Sequence, residues 1–209
     1  MYNSTSDAAR ERQQQILGPA PRIGPSTSDT VIDAAVELTR NVRRAAGSTT
    51  PVDRDSVPEL MATMMRHPDL FKAVGDLSIQ LLGHGALAKR ERQLAILRVT
   101  WLCGAPYAFG EHVTHCKRIG MTSEEIERVT AGSGAPGWSE LERAILRAVE
   151  ELHETAAISD ATWAVLARHW DERQLIELPI LVGQFTQVAY SQNALRLRLA
   201  PGNAGLMAR

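Results

Sequence analysis

Residues 90–120 read Arg90-Glu-Arg-Gln93-Leu94-Ala-Ile-Leu-Arg98-Val-Thr-Trp101-Leu-Cys103-Gly104-Ala105-Pro106-Tyr107-Ala108-Phe109-Gly-Glu111-His112-Val-Thr-His115-Cys116-Lys-Arg-Ile-Gly120. The first half opens on charged turns. From Leu94 to Leu102 it is apolar nearly all round except Arg98 and Thr100, the pattern of a helix buried on most sides, at the centre of a bundle or at an oligomer interface. Gly104 to Pro106 punctuates the run. Pro106 suits the first position of a new helix, and Gly120 suits the residue just past its end. That second helix carries Glu111, His112, His115 and Cys116, and no other stretch gathers proton-transfer and nucleophilic side chains so densely.

Working outward, helices dominate. Apolar residues recur at helical spacing from Thr30 to Ala46, with Gly47 as terminator and Ser48 to Ser56 as a loop. A short helix over Val57 to Arg66 and another over Pro68 to Leu82 lead to the buried helix at Ala88 to Cys103. Downstream, Thr122 with Glu125 and Ser139 with Glu142 form capping boxes, and Met121 with Ile126 adds a hydrophobic staple. Ser159 caps a short helix containing Trp163 and Leu166. Asp171 with Gln174 opens a last apolar segment, Leu175 to Ala189, in which Pro179 predicts a kink or restart. Leu195 to Leu199 alternates Leu and Arg and reads as extended. The reading totals about eight or nine helices and no convincing strand, so the fold class is all-α. Ala-Ile-Leu-Arg occurs at both Ala95 and Ala144, hinting at a repeated helix pair. Residues 1–28, with Pro19, Pro21 and Pro25, read as a flexible arm with a short helix at Arg10 to Ile16, and 29–209 as one domain.

Composition removes several function classes. The apolar share of 44% supports a packed core, and 23 Lys plus Arg against 24 Asp plus Glu leaves no basic face for nucleic acid. The basic runs Arg40 to Arg44 and Lys89 to Arg92 read as solvated helix faces. Two cysteines cannot build a disulfide framework in a chain of this length. No apolar run approaches the roughly 20 residues of a membrane span, and the N-terminus has no signal core, so a cytoplasmic protein is expected.

On a helix, Ala105, Ala108, His112 and either His115 or Cys116 share a face, and Tyr107, Glu111 and His115 an adjoining one. His112 is the natural proton shuttle, titrating near neutral pH. Glu111 points elsewhere, to a neighbouring subunit or a polar floor. Cys116 reads as an apolar filler whose thiol pKa proximity to His112 could lower. His112, His115 and Cys116 make a poor metal set, because their spacing supplies three ligands at best and matches no metal pattern. No metal and no cofactor are expected.

Several runs resemble the carboxymuconolactone decarboxylase family, which includes the AhpD-like alkylhydroperoxidases. They are Arg-Glu-Arg-Gln-Leu-Ala-Ile-Leu-Arg at Arg90, Cys-Gly-Ala-Pro-Tyr at Cys103, Gly-Glu-His-Val at Gly110, the Gly120 run, Trp138 to Leu152, and Ile158 to Gln184. The resemblance implies an all-helical, AhpD-like bundle assembling as a trimer or hexamer with sites near subunit contacts. It also implies departures. The peroxidase branch carries Cys-x-x-Cys ahead of its histidine, but matching that histidine to His112 puts Ala105 and Ala108 at the cysteine positions. That branch's helper glutamate falls at Gln93. A peroxidase cycle needs attacking and resolving thiols. The decarboxylase-like branch tends to hold a glutamate where Ala108 stands, so either the protein uses His112 with Glu111, or Ala108 is an introduced Glu→Ala change.

The resemblance therefore implies a cofactor-free, homo-oligomeric acid–base enzyme of decarboxylase, isomerase or cyclase type, acting on a small organic acid, lactone or natural-product intermediate. Its catalytic group would be His112, Glu111, Tyr107 and position 108. Gln93, Phe109, His115, Cys116, Gln184 and Trp101 would contact substrate. The alternatives are a thiol-dependent antioxidant protein using Cys103 or Cys116, and a non-catalytic binding member.

Overall fold

Ten helices build the described chain, and each begins or ends where the side chains dictate. A computed structural model describes residues 3–45 and 51–209, with side chains over 7–41 and 51–209. The helices are α1 (Asn3–Leu17), α2 (Asp29–Ala45), α3 (Glu59–Met64), α4 (Pro68–Gly83), α5 (Lys89–Leu102), α6 (Pro106–Arg118), α7 (Ser123–Ala131), α8 (Glu140–Thr155), α9 (Asp160–His169) and α10 (Glu172–Leu195), with a 3₁₀ turn at Gly205–Met207. No strand occurs among the described residues, so the fold is all-α. The Gly47 terminator, and Ser48 to Thr50 of the expected loop, lie outside the described residues.

The three capping boxes form as read. Thr122, Ser139 and Asp171 each accept the backbone N–H three residues on, and Glu125, Glu142 and Gln174 reach back. α5 lies at the centre, packed against α6, α7, α8 and α10, and every residue from Arg92 to Thr100 is buried. The pairing of α5 with α8 brings the two Ala-Ile-Leu-Arg segments into neighbouring helices. Leu94, Ile96, Leu97, Ile145 and Leu146 are fully excluded from water. At roughly 2 kcal/mol for burying each such side chain, this layer carries much of the folding free energy.

Two expectations change. Of the kink or restart expected at Pro179, no restart occurs, and α10 runs as one helix through it. The ring removes only the hydrogen bond its missing N–H would have made to Leu175, and tertiary packing of Leu178, Leu181, Val182 and Phe185 holds the rest. The N-terminal arm carries a longer helix than Arg10 to Ile16, and that helix is docked. Ala9 is buried. Arg12 donates to the carbonyls of Leu102 at 2.7 Å and Trp101 at 3.3 Å, capping the negative end of α5. Gln13 accepts the Leu206 amide at 2.7 Å. α1 and the C-terminal 3₁₀ turn therefore meet beside the α5–α6 turn.

Candidate active site

α5 and α6 are antiparallel neighbours joined by a short turn, which places Gln93, near the start of α5, beside His112 on α6. Both are buried, at 8% and 7% exposed. His112 Nδ1 lies 2.8 Å from Gln93 Oε1. An amide oxygen carries no proton, so this bond requires the imidazole proton on Nδ1 and leaves Nε2 as the lone-pair nitrogen. Cys116, one turn further along α6, donates its S–H to the same oxygen at 3.8 Å. The Phe185 ring of α10 meets the imidazole edge to face at 4.9 Å, and His115 lies 5.5 Å away on the outer side. The centre of the candidate site is thus one imidazole, oriented by an amide and walled by an aromatic ring.

Residues 68–151, from the start of α4 into α8, match the model of the carboxymuconolactone decarboxylase family, and they contain Gln93, His112 and Cys116. That match spans less than half of the chain. No curated protein matches the sequence. Among solved structures, a peroxidase-related protein from Silicibacter sp. TM1040 is similar at 15% identity, with a TM-score of 0.71 over 90% of this chain and 97% of that one. The alkylhydroperoxidase AhpD core protein from Ralstonia eutropha JMP134 is similar at 17% identity, with a TM-score of 0.69 over 87% and 94%. The debrominase Bmp8, as a cysteine-to-alanine variant in complex with 2,3,4-tribromopyrrole, is similar at 17% identity, with a TM-score of 0.67 over 87% and 93%. These likenesses establish an AhpD-like fold.

Within this AhpD-like fold, the electrostatics correct two expectations. His112 does not titrate near neutrality. Burial, with the charges of His115 and Arg92, holds it down to about 3, so it is neutral at physiological pH. Cys116 is pushed up to about 12 by burial, the opposite of the activation its position suggested. A third correction concerns Arg92. The run Lys89 to Arg92 read as a solvated face, yet Arg92 is buried at 8% exposed, its guanidinium reaching the Leu81 carbonyl of α4 and the charge of Glu177 on α10.

The other candidate residues divide into separate groups. Glu111 accepts from Asn203 Nδ2 at 2.9 Å, and the same amide donates to the Tyr107 carbonyl at 3.0 Å. The C-terminal segment, absent from any motif, therefore engages this face of α6. It comes so close that a Cβ at Gly110 would strike Asn203 Oδ1. The Tyr107 phenol is raised by burial and by the charges of Glu111 and Glu59, so it stays protonated. Ala108 packs with Ala105 and Ala189 in a small-residue seam between α6 and α10. The Trp101 and Phe109 rings meet at a tilt of 53°, 5.4 Å apart, beneath the Arg209 guanidinium. Trp101 also faces α1 across a cavity of about 150 Å³ lined by Ala8, Ala9, Arg12 and Leu206. Gln184 is tied to α4 through Val74 O at 3.2 Å and Ser78 Oγ at 2.9 Å. Phe185 and Arg92 were not among the expected site residues. An apolar residue in an apolar run carries no signal of its place against His112, and a charge in a charged turn carries none of its burial.

A neutral buried histidine has a measurable signature. The unfolded chain protonates His112 near its ordinary 6.5, whereas the fold resists until about 3. Its contribution to stability is therefore constant above pH 6.5 and is lost as the pH falls through that window, by up to about 1.4 kcal/mol per pH unit. Urea melts at pH 7, 5.5 and 4.5 should show a steeper loss in the natural protein than in His112→Gln. Equal slopes would mean that the imidazole is protonated in the fold.

Proposed function

We propose that the protein is a cofactor-free acid–base enzyme acting on a small organic acid, lactone or natural-product intermediate, of decarboxylase, isomerase or cyclase type. The observation that carries this reading is the Nδ1 hydrogen bond from His112 to Gln93. It presents Nε2 as a proton acceptor in a buried setting, where a positioned base contributes on the order of 10²–10⁴-fold in rate. Tyr107, still protonated, and Glu111 are assigned supporting roles on the adjoining face. The family match over residues 68–151 supports action on small molecules, as does the bromopyrrole complex of the debrominase with the same fold.

Thiol chemistry is the second reading, and the geometry opposes it. Cys116 is fully buried and its thiol is held protonated. Cys103 sits elsewhere, 3.9 Å from His153 Nδ1, and both cysteines are free. Its thiol is raised by burial, although the Thr186 hydroxyl and the Arg12 charge oppose this. Metabolite extracts supply the assay, with consumption followed by mass spectrometry. Cys103→Ala and Cys116→Ala proteins should still consume the compound that the natural protein consumes, without added thiol. Loss of consumption in either variant, or thiol-dependent removal of an alkyl hydroperoxide, would favour the second reading.

A homo-oligomer, trimer or hexamer, is proposed alongside, because α10 exposes Ile176 at 62% and Tyr190 at 63%, and α4 exposes Leu70 at 56%. No helix of the described residues is long and apolar enough to cross a membrane. A cytoplasmic location is proposed.

A further inference from the structure

Gly183 stands in the interior of α10 without a local reason. Its backbone is not in the left-handed region that calls for glycine, and glycine weakens a helix interior relative to alanine. Close packing does not require it either. Outside its own turn, a Cβ built there meets no atom within 4 Å. The missing side chain instead leaves open a cavity of about 420 Å³ between α8 and α10. Leu152 and Ala156 line one side, and Pro179, Val182 and Tyr190 line the other. That volume falls within the roughly 300–1,000 Å³ of small-molecule sites. A helix of a second copy, about 10–12 Å across with its side chains, fits so small a recess less well. No Asp, Glu, Lys, Arg or His lines the cavity, so a charged ligand would lose its water there without a counter-ion. Polar groups are present nonetheless. Gln187, also in the lining, donates from Nε2 to Ser191 Oγ at 2.8 Å. Among the described residues, its Oε1 and the Tyr190 hydroxyl bond to no other group.

We propose that the cavity between α8 and α10 binds an uncharged small molecule with an apolar body and a hydroxyl or carbonyl group. The apolar body lies against Leu152, Pro179 and Val182, and the polar group meets Gln187 and Tyr190. This site is separate from the one around His112. Successive helix residues stand about 100° apart, so Gly183 and Gln187 each lie about 160° round α10 from Phe185, whose ring meets the His112 imidazole. The inference therefore does not rest on the reading of His112 as a base. Ile176, which the oligomer would cover, lies outside the cavity, and Tyr190 stands at its edge, 63% exposed.

The test uses the whole chain with 2-naphthol as probe and 2-naphthoate as its charged counterpart. Calorimetry should show 2-naphthol binding, and nitrogen-15 NMR should show the Gly183 and Gln187 amides shifting while the His112 imidazole stays unmoved. The naphthoate should bind about 10-fold more weakly or worse. Gly183→Leu places a side chain in the open space and should weaken 2-naphthol by about 10-fold or more. It should melt no lower than the natural protein, because leucine is the better helix former. If Gly183→Leu fails to fold, Gln187→Ala on the exposed face decides, with an expected loss of several-fold. His112→Ala should bind the probe as the natural protein does. Absence of 2-naphthol binding, shifts at His112 in place of Gly183, or full affinity in folded Gly183→Leu overturns the site. Sedimentation of the same proteins covers the other occupant. Self-association lost in Gly183→Leu, with no probe bound by the natural protein, would give the cavity to a second copy and overturn the proposal as well.

Discussion

His112→Ala is expected to lower substrate consumption by about 10²–10⁴-fold while leaving a folded protein. The side chain is 7% exposed and makes one side-chain hydrogen bond, to Gln93. Its removal leaves Gln93 Oε1 with the weak Cys116 S–H as donor and a space beside Phe185. Such a loss costs about 1–3 kcal/mol, which a domain of ordinary stability survives. Gln93→Leu is the companion. It keeps the imidazole but removes the acceptor that selects the Nδ1–H tautomer, so turnover should fall by a smaller factor and binding should change little. The pair of rates, measured on the compound identified from extracts, distinguishes a reacting histidine from a packed one. Unchanged consumption in His112→Ala would put a non-catalytic or differently built site in its place.

Glu150→Ala is expected to be the most damaging single change to the fold, at about 3–5 kcal/mol. Glu150 accepts Arg98 Nε at 2.9 Å, the Ser133 amide at 2.8 Å and the Ser133 hydroxyl at 2.5 Å. Arg98 also holds the carbonyls of Val129 and Thr130 at the end of α7, so one carboxylate ties α5, α7 and α8 together. Gly132 turns there at φ +94°, with the guanidinium pressed against it, and a side chain at that residue would have no room. Truncating Glu150 leaves a charge in the interior that burial already disfavours. Equilibrium urea unfolding gives the loss directly. The double variant Arg98→Leu with Glu150→Leu should be less destabilised than Glu150→Ala alone, because no unpaired charge remains. A loss below about 1 kcal/mol would mean that Arg98 reaches water in the variant.

Much of this architecture was legible in the chain because it is local. The Thr122, Ser139 and Asp171 caps, Pro106 at the start of α6, and the all-round apolar run of α5 are each decided within a few residues. The motif order around Cys103 and His112 was sufficient to indicate the family that residues 68–151 match. Burial of individual polar groups was not legible. Arg90 and Arg92 belong to one charged turn, yet Arg90 reaches out to Glu125 and Glu142 while Arg92 is enclosed with its Nε unpaired.

By itself, then, the sequence determined the helix content, most helix boundaries and the stretch of α5 and α6 where the candidate side chains gather, since capping and periodicity act over one or two turns. The tertiary structure alone decided three things. It made His112 neutral, because that depends on what α5 and α10 stack over the imidazole. It divided the candidate residues into separate surroundings, with Gln93 and Cys116 at His112, Trp101 against α1, and Glu111 on Asn203. It also enclosed Arg92 with its Nε unpaired. Those outcomes depend on which distant segment covers each face, and no spacing along the chain encodes that.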